Sequence, residues 1–109
     1  MSMDKKPPPL PFRIGVPADT IAEFCRRHHI ARLAVFGSIL RDDFGPGSDV
    51  DALVTFEPGV PVGLLRLTGM ELELSDLLGR KVDLNTAGFL SPYYREEVLR
   101  EAVTLYVAA

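Results

Sequence analysis

With one cysteine, Cys25, in 109 residues, the chain has no internal disulfide, which fits a reducing compartment. Cys25 falls on the apolar side of a helical pattern, which reads as core packing rather than a reactive thiol. Only two histidines accompany it, so no Cys/His cluster can bind zinc. No apolar run approaches membrane-spanning length, and the N-terminus lacks an apolar signal core. The expectation is a cytoplasmic protein that makes no use of a membrane. Basic residues are also in deficit: 12 Lys and Arg against 15 Asp and Glu leave a net charge of −3. A broad nucleic-acid surface, which needs clustered Lys and Arg, is not expected.

What remains has the composition of a folded domain, 47% hydrophobic and 25% charged. The length suits one domain with a real core, small for a self-sufficient enzyme. Pro7-Pro8-Pro9 and Pro11 remove backbone donors. Residues 1–17 therefore read as a proline-rich flexible N-terminal arm, and residues 18–109 as the domain.

Hydrophobic periodicity gives the order of elements. Ile21, Phe24, Cys25 and His28 fall at i, i+3, i+4 and i+7, so a helix is expected from about Asp19 to His29, with Asp19 as a candidate cap. His28 and His29 point about 100° apart on such a helix and cannot easily share one ion. They read as one half-buried and one solvated histidine. Ile30 to Phe36 is apolar on both faces, as a central strand would be. Ile39 to Phe44 suggests one short helical turn, and Asp49 to Phe56 alternates as a second strand. Leu67, Met70, Leu74, Leu77 and Leu78 form a helical stripe within Gly63 to Leu78, with Gly79 as its stop. Lys81 to Asn85 reads as a short strand. A last helix is expected from Ser91 or Pro92 through Glu101, and Val103 to Ala109 as an apolar tail that packs on something.

The chemistry concentrates between Val35 and Val54. An apolar run stops at Gly37-Ser38, and the next apolar run opens with Asp49-Val50-Asp51. On a strand, Asp49 and Asp51 share a face with Cα atoms roughly 7 Å apart. Carboxylates so close repel unless one is protonated or a cation joins them. Asp83, opposite Val82 and Leu84, repeats the arrangement. Gly37 can approach a phosphate without a Cβ in the way, Ser38 offers a hydroxyl, and Arg41 a permanently charged planar fork. Taken alone, Gly-Ser reads as a tight strand-to-helix turn in which Ser38 only caps the helix. Structural pairing of the acids with Lys81 or Arg41 is the plain alternative for the acids. No Gly-Lys-Ser/Thr follows the glycines, which excludes a Walker-type loop. The acids lack the glycine and later glutamate of an EF-hand.

Gly37-Ser38 followed after ten residues by Asp49-Val50-Asp51, with Asp83 in Val-Asp-Leu, resembles the signature of the DNA polymerase β-like nucleotidyltransferase superfamily. Size and element order are similar to its minimal nucleotidyltransferase group, over roughly Asp19 to Tyr106. Ala52, where a larger aliphatic is usual, and Asn85 depart from the pattern. The resemblance implies an α+β fold, a small mixed β-sheet with helices packed on one face and the aspartates on the open one. It implies Asp49, Asp51 and Asp83 as catalytic metal ligands for two Mg²⁺ ions, with Gly37, Ser38 and Arg41 on the phosphates of ATP. It further implies a partner, a HEPN-domain RNase toxin in a hetero-oligomer, whose tyrosine receives AMP. Against this enzyme stands a non-catalytic antitoxin that neutralises the toxin by occupying its surface. The acid trio favours catalysis, since an occluding module has no need to hold repelling carboxylates together.

Overall fold

Strand β1 (Ile30–Phe36) lies second from one edge of a four-stranded sheet, hydrogen-bonded on both sides. The computed structural model describes residues 15–41, 45 and 47–108. The proline-rich run of the N-terminal arm, and the end of the turn expected to reach Phe44, lie outside the described residues. Helix α1 (Ala18–Arg27) precedes β1, and a 3₁₀ turn (Gly37–Leu40) follows it. Then come β2 (Val50–Phe56), α2 (Leu64–Leu78), β3 (Val82–Asn85), a 3₁₀ turn (Ala87–Phe89), α3 (Arg95–Glu101) and β4 (Val103–Val107). The sheet order is β3-β2-β1-β4. β1 runs antiparallel to both β2 and β4, whereas β2 and β3 are parallel. This is the expected small mixed sheet of an α+β fold.

Alternation sorts the strand residues between two faces. Leu33, Val35, Val50, Ala52, Val54, Val82, Leu84 and Leu105 join Ile21, Phe24 and Cys25 of α1 and Leu67, Met70 and Leu74 of α2 in the main core. Cys25 is fully buried there, and burial pushes its thiol up to about 12, which makes it a packing residue. The other face is not bare. Phe36 and Leu53 meet Leu90 and Val98 in a second, smaller cluster that seats α3. The aspartates occupy the part of that face nearer β3.

Several boundaries moved for local reasons. α1 begins with Pro17, not Asp19, at the N-cap, and has no side-chain cap; Asp19 lies in the first turn, favourable at the positive helix pole. His28 caps the far end and His29 takes φ 57°, so the chain turns sharply into β1. Gly79, left-handed at φ 70°, ends α2, and its N–H donates to the Ser75 carbonyl. The last helix starts at Arg95 because residues 91–94 form a turn on the Ser91 carbonyl, to which both Tyr94 and Arg95 N–H groups donate. The apolar tail is a full strand, β4, with Leu105 in the core.

Edge strand β3 is fastened by α2. The Val82 N–H donates to Ser75 Oγ at 2.9 Å, and the Leu84 N–H to Glu71 Oε2 at 2.7 Å. Two strand residues rise about 6.6 Å and four helical residues about 6 Å, so the two spacings match. Both donors would otherwise face away from the sheet unpaired.

Candidate active site

The site grows from the hairpin-like return of β1 into β2. Phe36 pairs with Asp51 across the antiparallel ladder, so the chain leaving β1 passes directly over Asp51. Gly37 makes that passage possible: it adopts φ +79°, and a Cβ on it would lie 2.6 Å from Asp51 Oδ2. The Ser38 hydroxyl donates to the Asp49 carbonyl at 3.4 Å, and the Arg41 N–H closes the turn on the Ser38 carbonyl. Behind Asp49, Arg80 Nη1 donates to the carbonyls of Gly45 (3.1 Å) and Ser48 (3.4 Å), and the Gly45 N–H to Ser48 Oγ. Arg80 thus anchors the approach to β2.

Asp51 and Asp83 are register partners in the parallel β2–β3 ladder, so they project side by side from neighbouring strands. Asp49 stands one residue before β2, exposed. Lys81 Nζ lies 3.9 Å from Asp49 Oδ2 and 3.9 Å from Asp83 Oδ1. Those two oxygens are therefore no more than twice that distance apart. Burial, then Asp83 and Asp49, raise the Asp51 carboxyl above its ordinary value, while Arg41 works in the opposite direction. All six sequence candidates, Gly37, Ser38, Arg41, Asp49, Asp51 and Asp83, thus cluster at one end of the β1–β2–β3 portion of the sheet.

The donor set fits a hard divalent cation: it consists of oxygens, its members repel one another, and an ammonium is already drawn in. Among the described residues, no three acidic, histidine or cysteine side chains are gathered into a ready metal-ligand group. Mg²⁺ does not require one, because it keeps waters and takes one or two carboxylates together with substrate phosphates.

Next to Asp51 and Asp83 opens a cavity of about 420 Å³, lined also by Glu71, Asn85, Phe36, Leu84, Leu90 and Tyr94. Gly37, Ser38 and Asp49 do not line it; its walls come from β1, β2, β3, α2 and the segment leading into α3. Asn85 was legible from alternation with Asp83; its Nδ2 donates to the Asp83 and Ala52 carbonyls at 3.3 and 3.5 Å. Glu71 and Tyr94 come from α2 and from the turn before α3, and no local pattern points to them. The histidines stay out of the site, as expected. His28 Nε2 is 2.8 Å from Glu73 Oε1, and His29 is exposed near Glu57.

The model of the nucleotidyltransferase domain matches residues 18–105. The chain belongs to that family. This nucleotidyltransferase is 40% identical over 81 residues to the protein adenylyltransferase MntA of Thermococcus cleftensis, covering 74% of this chain and 80% of that one. A solved structure named as a minimal nucleotidyltransferase superposes with a TM-score of 0.65 at 41% identity, covering 79% of this chain and 86% of the other. An antitoxin solved in complex with a tri-AMPylated HEPN toxin of Shewanella oneidensis shares the fold, with a TM-score of 0.61 at 17% identity over 84% of this chain and 70% of that one.

Proposed function

We propose that this nucleotidyltransferase is a cytoplasmic antitoxin that transfers AMP from ATP onto a tyrosine hydroxyl of a cognate HEPN RNase toxin. The observation that carries the reading is the side-by-side pairing of Asp51 with Asp83 beside the Gly37-Ser38 turn. The names of its relatives support the chemistry and the partner: one is a protein adenylyltransferase, another an antitoxin bound to an AMPylated HEPN toxin. Among the described residues, no helix is long and apolar enough to cross a membrane.

Asp49, Asp51 and Asp83 would hold Mg²⁺, two ions in the full reading. When bound, the metal neutralises phosphate charge and lowers the pKa of the attacking hydroxyl. Gly37 lets the backbone come close to the outer phosphates of ATP, the Ser38 hydroxyl turns from the Asp49 carbonyl to donate to them, and Arg41 adds a fixed positive charge. The cavity beside Asp51 and Asp83 admits the acceptor. Its phenolic oxygen attacks the α-phosphorus, the bond from that phosphorus to the oxygen bridging toward the β-phosphate breaks, and pyrophosphate leaves. Asp83, which lines that cavity, completes the metal site or takes the phenolic proton.

Incubation with the HEPN partner, labelled ATP and Mg²⁺ tests the reading. Wild type labels the partner and protects cells. Asp49→Asn combined with Asp51→Asn keeps the side-chain sizes and removes the charges, so labelling falls below detection. If that folded variant protects cells as well as wild type does, neutralisation works by occlusion and catalysis is dispensable.

A further inference from the structure

We propose that Lys81 is a built-in counterion of the carboxylate trio, competing with the divalent metal for Asp49 and Asp83 until a nucleotide draws it away. The inference rests on the reading of the three aspartates as metal ligands and adds a residue to it. Lys81 precedes β3 on the same alternation as Asp83 and Asn85, so its side chain rises on the carboxylate face. Its ammonium stands equally far, 3.9 Å, from an oxygen of each of two acids that flank Asp51. That distance exceeds a hydrogen bond, and the side chain is 68% exposed. Lys81 is thus held by charge rather than locked by geometry, on a flexible stem that can swing.

Two consequences follow from the charge alone. Without nucleotide, a divalent ion entering among the same oxygens must displace the ammonium and lose its attraction to the acids, or lie against it and meet like-charge repulsion. With a triphosphate present, the phosphate oxygens offer the ammonium a second set of anions next to the trio. One side chain then couples the two ligands: it weakens metal binding to the empty site and strengthens it once nucleotide is there.

The test uses Mn²⁺ as probe, with free Mn²⁺ measured by electron paramagnetic resonance on the intact protein. Without nucleotide, Lys81→Gln and Lys81→Met bind Mn²⁺ about three- to ten-fold more tightly than wild type, while Lys81→Arg, which keeps the charge, stays close to wild type. With ATP added, the neutral variants lose that advantage and bind the metal–nucleotide pair more weakly. A purely structural lysine would give unchanged or weaker Mn²⁺ binding in the neutral variants, and either result without nucleotide overturns the proposal. Circular dichroism confirms that each variant is folded. The Asp49→Asn, Asp51→Asn double variant serves as reference. If it binds Mn²⁺ as wild type does, the metal-ligand reading itself fails; if it loses binding while the neutral Lys81 variants do not change, only the role of Lys81 fails.

Discussion

Gly37 and Asp51 share space that no other residue at position 37 could leave free: a Cβ there would stand 2.6 Å from Asp51 Oδ2, on a backbone already at φ +79°. Gly37→Ala therefore meets two obstacles, the left-handed conformation and the carboxylate. The first costs roughly 1–2 kcal/mol. The second is relieved by rotation of Asp51, which takes the carboxylate out of register with Asp83. Urea unfolding should show the modest stability loss, while transfer to the partner drops by about 100-fold, the scale of an ångström-sized misplacement. Equal losses in both would mean that Gly37 serves the fold alone.

Asp51 also makes the apo protein sensitive to pH. Its carboxyl binds a proton more readily in the folded protein, because of burial and then the neighbouring Asp83 and Asp49. With the folded-state pKa above the unfolded one, stability is greater at acid pH and falls as pH rises through that window. Asp51→Asn removes the penalty. Without metal, its melting temperature should exceed that of wild type by a few degrees at neutral pH, and the gap should close below the ordinary aspartate value of 3.8. Adding Mg²⁺ should reverse the order by stabilising wild type only.

Ser75 uses its hydroxyl twice, donating to the Glu71 carbonyl at 2.8 Å and accepting the Val82 N–H. Ser75→Ala leaves that N–H without its acceptor, at a cost of about 1–2 kcal/mol. Amide exchange at Val82 should accelerate before that of β1 or β2, because the loss is confined to the edge strand. Uniform acceleration across the sheet would contradict this.

Glu73 links α2 to α1 through Arg27 (2.6 Å) and His28 (2.8 Å). The Arg27 hydrogen bond, followed by His28, holds its carboxyl below the ordinary glutamate value of 4.5. With the folded-state pKa depressed, the contribution is fully present above that value and disappears as pH falls through the folded-state pKa. Arg27 is half exposed, so Glu73→Gln should cost less than about 1 kcal/mol at neutral pH. Melting curves recorded from neutral to acid pH should show the variant and wild type converging at the acid end.

Much of the chain could be read locally. The 3.6-residue stripe of Leu67, Met70 and Leu74, the two-residue alternation of Asp49 to Phe56, and Gly79 as a stop depend on neighbours a few positions away. The same holds for Asn85, which alternation puts on one face of β3 with Asp83. Val103 to Val107 was harder. Five apolar or small polar residues at the chain end suit a strand or a packed tail alike, and only the open edge of β1 makes them a strand.

By itself, the sequence determined the order of elements from α1 to β3 and the apolar residues they bury, and it marked Gly37, Ser38, Arg41, Asp49, Asp51 and Asp83 as candidates for phosphate and metal chemistry. Only the tertiary structure decided that β3 lies parallel against β2, which makes Asp51 and Asp83 immediate neighbours. It alone brought Glu71 and Tyr94 to the same cavity and set Lys81 between two aspartates. The physical reason is the range of the forces involved. Periodicity and capping act within a turn or two of chain, whereas strand order is chosen by burying surfaces that are remote in sequence and by satisfying the backbone groups those surfaces expose.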